Sequence, residues 1–224
     1  MYDKLKDYLS KERLRPYLNI SNNDKEKAIE LYDLYMAINE SFYISLQNIE
    51  LAIRNSFCNE ISKKYGNNWL LDKQYLLKGQ STKKRLLLEQ IETIYQKYKK
   101  INNCNDIISN LSFNFWIVFL DDDFEITFWR PCLRKVFDNF GNRVLRSDIK
   151  NELKFIKNIR NRIFHHENLL KYNLMDSYNK IVNFIKLISE SLYIHTIEKS
   201  NFIKNYENLK NFIKNNDYII NTVI

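Results

Sequence analysis

Residues 148–167 read DIKNELKFIKNIRNRIFHHE. On a helix that turns about 100° per residue, with Ile149 at zero, Leu153 falls at about 40°, Ile156 at about −20° and Ile163 at about −40°. These four form one apolar stripe, so the segment reads as a helix packed along that face. Arg160, at about 20°, lies in the middle of it. A charge cannot be buried alone without a large penalty. Its guanidinium therefore needs a carboxylate, a crevice, or a place where a second subunit or an anion meets the helix. Asn161 at about 120° and His165 at about 160° are i,i+4 neighbours on an adjacent face, while His166 points elsewhere, near −100°. The chain has three histidines, and two of them stand side by side here. Near a helix end such a pair also serves as capping that favours the dipole.

Working outward, the flanking sequence is helical too. With 3 glycines and 2 prolines in 224 residues, the chain lacks the turn residues that an all-β domain needs at short intervals. A short helix is expected from Tyr2, stopped by Pro16. Ser21–Asp24 offers a cap cluster, followed by a long pattern in which Phe42, Leu46, Ile49, Ile53, Phe57 and Ile61 step by fours and threes. That pattern is either one helix or two joined near Asn39, with Gly66 as its stop. Gly79 and Ser81 precede a helix from Thr82, and residues 105–120 read as a dense, aromatic, buried helix broken by Asp121–Asp123. Residues 125–140 resume helical spacing, with Pro131 in a first turn or at a kink. Ser147 is the expected cap of the helix that carries Arg160. Two further helices are expected after Asp176 and Asn201. The expectation is one all-α domain over 1–224, with 1–20 as a helical appendage and 201–224 as a last helix.

Apolar residues make up 45% of the chain, which excludes a disordered tail, and the formal charge of +8 suits a polyanion such as RNA. The lysines of 81–100 and 201–216, interleaved with Tyr and Phe, are candidate RNA-binding faces. Cys58, Cys104 and Cys132 are odd in number and widely separated, so neither a zinc site nor a disulfide framework is expected. The first residues, MYDKLKDYLSKERLR, contain no apolar leader, and no apolar run approaches a membrane span. We expect a reducing, cytoplasmic setting without membrane contact. Asp121–Asp123 offer oxygen ligands, but three consecutive aspartates between helices read as a solvated turn, so no metal and no cofactor are expected. Isolated His195 reads as an interior or boundary residue. Glu50 and Arg54 are i,i+4 in the favourable order for an ion pair. Alternatively, Glu50 receives Arg160 or another cation and orders the site.

An arginine with a nearby histidine can cleave RNA without metal, because the 2′-hydroxyl supplies the nucleophile. At this point the residues resemble a known family. RNRIFHH (160–166) is similar to the R-x4–6-H motif of HEPN domains, and more narrowly to the RNRxxHHE segment of Abi-like proteins of the AbiD/AbiF group. Residues 31–57 resemble that family's long N-terminal helix, with its Glu-x-x-x-Arg-Asn element at Glu50, Arg54 and Asn55. YGNNW (65–69), LSFNFWIVFL (111–120) and FWRPCLRKVF (128–137) follow in the family's order, although Asn114 stands where a glycine is usual.

The resemblance implies an all-α, HEPN-type helical bundle with additional helices. It implies a homodimer in which two motifs meet as a composite, metal-independent endoribonuclease. Arg160, Asn161, His165 and His166 are its catalytic candidates, with Glu50 and Arg54 in support. It further implies a role in abortive phage infection or toxin–antitoxin behaviour, with RNA as substrate and, in some members, a small structured RNA as restraint. Two other readings are a non-cleaving RNA-binding module and a helical protein-interaction partner in a two-component toxin system.

Overall fold

A computed structural model describes residues 1–72, 81–98, 104–140, 144–220 and 222, with the side chains of 138–140 outside the description. Among these residues every regular element is helical, as the all-α reading expects. We number the α-helices α1 (Tyr2–Leu9), α2 (Lys11–Ile20), α3 (Lys25–Ser41), α4 (Tyr43–Tyr65), α5 (Trp69–Asp72), α6 (Thr82–Lys97), α7 (Cys104–Ile108), α8 (Phe113–Val118), α9 (Arg146–Phe164), α10 (Leu174–Ile188), α11 (Glu190–Lys199) and α12 (Phe202–Asn215). The chain divides into two compact units. One comprises Met1–Gln47, Ile159–Val182 and Tyr193–Ile224; the other comprises Asn48–Asn158 and Asn183–Leu192.

In the first unit, α3 is the central element. Asp24 caps it by accepting from the backbone N–H of Glu26 at 3.0 Å and of Lys27 at 3.1 Å. The preceding Asn22 and Asn23 take left-handed backbone, which asparagine tolerates. Helix α2 packs on α3 through Leu14 and Tyr17, and Tyr17 meets Tyr32 edge-on at 5.3 Å. Pro16 does not stop the first helix; it sits inside α2. The carbonyl it leaves without a donor belongs to exposed Glu12, where water can replace the lost bond. The break falls instead at Ser10, whose φ is 69°. Helix α12 packs on the other side of α3, where Asn205 donates to the Ala37 carbonyl at 3.0 Å. Phe202 lies 5.0 Å from Phe42 and stacks on Tyr178 at 4.0 Å.

The long helical pattern resolves into α3 and α4, with the junction at Phe42 rather than Asn39. The buried hydroxyls of Ser41 and Ser45 donate back to the carbonyls of Ile38 and Phe42, at 2.7 and 2.9 Å. Such back-bonding competes with the helical ladder and bends it. Gly66, with φ 84°, stops α4 as expected, and its N–H donates to the Ser62 carbonyl. Gly79 lies outside the described residues.

The second unit is built on aromatics. Phe119 is fully buried and touches Phe115, Phe124, Phe128 and Trp69 at ring separations of 4.9–5.9 Å. Ile149, Leu153 and Ile156 of α9 are buried, as their stripe predicts. Residues 105–120 are not one helix but form α7, a turn and α8, where Ser112 caps α8 through the Phe115 N–H. Exposed Asn114 accepts from Lys157 at 2.9 Å, so the departure from glycine adds a polar tie to α9. Residues 125–140 are not α-helical. A π-turn over Glu125–Trp129 precedes Pro131, and a 3₁₀ stretch covers Leu133–Phe140. Pro131 cannot donate to the Thr127 carbonyl four residues before it; the Tyr65 hydroxyl donates there instead. Helix α9 begins at Arg146, ahead of the expected cap at Ser147. The Leu145 carbonyl accepts its first bonds, from the N–H groups of Asp148 and Ile149.

Asp121–Asp123 are a solvated turn only in part: Asp122 and Asp123 are exposed, and Asp121 is not. Asp121 is buried and pairs with Lys150 and, at 3.0 Å, with Lys83. Arg146 pairs with Asp122, and Ser81 donates to Asp123 at 3.1 Å. Burial pushes the Asp121 carboxyl up, but the hydrogen bonds from Lys150 and Lys83 outweigh it and hold it below its ordinary value. Its folded pKa lies below the unfolded one, so its contribution is present above the unfolded value and lost as pH falls through the folded one. Asp121→Asn should lose about 1–2 kcal/mol of stability near neutrality, because partly buried Lys150 keeps its place without a counter-charge while Lys83 turns to solvent. Urea unfolding of both proteins should show this gap narrowing below about pH 4.

Candidate functional site

The last two turns of α9 and the turn after it belong to the first unit and carry the motif. Helix α9 ends at Phe164, so both histidines lie past its end rather than on it. The stop is a hydrogen-bonded closure. The His166 N–H donates to the Ile163 carbonyl at 3.0 Å, and the Glu167 N–H reaches back to the Arg162 carbonyl at 2.8 Å. This pair of bonds defines a Schellman motif with His166 at the left-handed position, and φ there is 58°. Two side chains brace the closure: Arg162 pairs with Glu167 at 2.7 Å, and Arg13 of α2 donates to the His166 carbonyl.

Arg160 is half-buried, and its guanidinium carbon stands 4.7 Å from the centre of the Phe164 ring. A cation over an aromatic face gains electrostatic attraction and keeps its edge hydrogen-bond donors available. Phe164 is 45% exposed and lies 6.2 Å from the ring of Tyr43, itself 52% exposed. The Asn161 carboxamide oxygen faces Arg160, accepting a long hydrogen bond at 3.4 Å. The Asn161 backbone carbonyl accepts the His165 N–H at 2.8 Å, which continues the helical ladder to the first histidine. Both imidazoles are exposed.

The structure thus groups Arg160, Asn161, Phe164 and the two histidines around one helix end. Glu50 and Arg54 stand one turn apart on α4 in the second unit, and Arg54 donates to Asn55 at 3.4 Å. His195 is exposed on α11, contrary to the interior reading; buried Thr196 turns inward instead. Of the two basic faces, that of α6 is partly structural: Lys83 serves Asp121, and Lys84 is buried 5.7 Å from the Phe124 ring. Lys204, Lys210 and Lys214 of α12 are exposed.

Sequence reasoning missed three residues. Phe164 follows Arg160 by one turn and was readable by spacing. Tyr43 and Arg13 are distant in sequence, and no local signal marks them. Cys58 and Cys132 are buried free thiols whose pKa values burial pushes up to about 12 and about 11, so neither is a ready nucleophile. Among the described residues no helix is long and apolar enough to cross a membrane, and no cluster of three or more metal-ligating side chains occurs.

Two cavities flank the closure. One, of about 370 Å³, is lined by Arg13, Tyr17, Tyr32, Asn39, Arg162 and His166, among others. The other, of about 580 Å³, lies against Met36, Tyr43, Ile163 and Phe164. Met36, Asn39 and His166 belong to both. No protein-family model, no curated protein and no solved structure matches the chain.

The left-handed position at residue 166 gives a direct test of the closure. His166→Gly should raise stability by about 0.5–1 kcal/mol, and His166→Val should lower it by about 1–2 kcal/mol, since a β-branched side chain strains that backbone. Denaturant midpoints of the two variants should move in opposite directions.

Proposed function

We propose that the chain is a metal-independent endoribonuclease acting as a homodimer, with Arg160, Asn161 and His165 as its working residues. The observation that carries this reading is the Arg160 guanidinium stacked on exposed Phe164, at a helix end that also presents His165 to solvent. A phosphodiester brought there meets a positioned cation and an imidazole able to take and return a proton. The 2′-oxygen forms a bond to phosphorus, and its proton passes to an imidazole. The bond to the 5′-oxygen breaks, and an imidazolium returns a proton to that oxygen. Arg160 stabilises the added charge on phosphorus. Asn161, beside Arg160 and joined to His165 through the backbone, fixes their relative placement. The products are a 2′,3′-cyclic phosphate and a 5′-hydroxyl.

A second copy accounts for the apolar face beside the motif. Met36, Tyr43 and Phe164 are 43%, 52% and 45% exposed and adjoin one cavity. Aromatic and methionine side chains gathered in this way are typical of a protein contact. A dimer across this face supplies two histidines, one to take a proton and one to give it. A role in anti-phage growth arrest, under restraint by a small structured RNA, rests on the motif resemblance alone.

The test is cleavage of single-stranded RNA in EDTA. Wild-type protein should cut, while His165→Ala and Arg160→Ala should each lose at least about 100-fold in rate with RNA binding retained. Undiminished cleavage by His165→Ala defeats the assignment. Binding without cleavage by the wild type favours a non-catalytic RNA-binding module.

A further inference from the structure

The smaller cavity is built differently from its neighbour. Its floor is two buried tyrosines, Tyr17 and Tyr32, packed edge-to-face. Its charged walls balance: Arg162 is paired with Glu167 at 2.7 Å, and Arg13, which donates to the His166 carbonyl, shares the lining with Glu12. One wall group is left wanting. The carboxamide oxygen of Asn39 is buried and finds no hydrogen-bond donor among the described residues. A buried acceptor left unsatisfied is costly, so turning the amide toward the cavity it lines, where a ligand brings a donor, is favoured.

These features select against a phosphate, which would ask for uncommitted cations, and for a flat, neutral, hydrogen-bonding heterocycle. About 370 Å³ suits one such ring and its sugar. We propose that this cavity is a nucleobase subsite. It takes one unstacked base of the RNA strand, and Asn39 reads the base edge by accepting from an N–H and donating to an adjacent acceptor. The inference rests on the ribonuclease reading and adds specificity to it. His166 lines this cavity and directly follows His165, so the base that enters belongs to a nucleotide next to the cleaved bond. Asn39 is here a specificity-determining residue and not a catalytic one.

The experiment uses the full-length protein and end-labelled oligonucleotides that differ only in the nucleotides flanking one cleavable bond. Wild type should prefer one base at one flank. Asn39→Ala should reduce cutting of the preferred substrate by roughly tenfold to a hundredfold, the discrimination expected of a two-bond amide contact, and leave the others within about twofold. Asn39→Asp, which offers acceptors only, should move the preference toward guanine, whose edge carries two adjacent donors. Asn168→Trp fills the mouth from an exposed position, lies off the apolar face assigned to the dimer, and should flatten the preference in the same way. Unchanged base preference in all three active variants overturns the subsite. If wild type does not cut at all, the ribonuclease reading fails separately. The subsite is then decided by the affinity of the same oligonucleotides: a base preference that Asn39→Ala abolishes supports it, and equal affinity for all four bases ends it.

Discussion

Everything proposed for this protein depends on where α9 stops. Had the helix run on through His165 and His166, the two imidazoles would occupy different faces of a continuing rod. The Schellman closure ends it at Phe164, and the Arg162–Glu167 pair and the Arg13 bond to the His166 carbonyl hold the closure from both sides. Arg160 and Phe164 therefore sit in the terminal turns, where a large ligand can approach without disturbing the buried stripe of Ile149, Leu153 and Ile156. A helix end tied in this way is a rigid platform, and a site built on one is better defined than a site on a free loop.

That location has an electrostatic consequence. The C-terminal end of a helix carries partial negative charge, so it repels the anions that helix N-termini attract. An anionic substrate is accepted there only if side-chain cations outweigh the backbone. Arg160 in the last turns supplies one, and the chain's net charge of +8 gives the same sign at longer range.

Much of the fold was legible because local chemistry governs it. Asp24 before α3, Gly66 after α4 and Ser81 before α6 are placed by their own side chains or lack of one, and each was found from sequence. The reading failed where distant partners decide. Pro16 is accommodated within α2 because the orphaned carbonyl belongs to exposed Glu12, and the π-turn before Pro131 survives because Tyr65, far upstream, takes the freed carbonyl. The Asp121–Asp123 turn looked solvated because nothing local announces that Lys83, Arg146, Lys150 and Ser81 converge on it. At the candidate site the same division holds. The on-stripe arginine and the paired histidines were visible, whereas Arg13 and Tyr43 reach the helix end only through tertiary packing.

The residue chosen at position 166 is itself informative. A left-handed backbone position at a helix end is ordinarily filled by glycine or asparagine, and any bulkier residue costs about 1 kcal/mol. This chain has few glycines but is rich in asparagine, and it uses asparagine at two consecutive left-handed positions, 22 and 23. At 166, in the same kind of backbone, it carries histidine instead. The turn alone does not call for that side chain. The residue lines both cavities, with Asn39 and Met36, and comes directly after His165. Strain retained where a cheaper residue is plentiful points from the backbone to the chemistry of the side chain, and here to the two cavities that His166 separates.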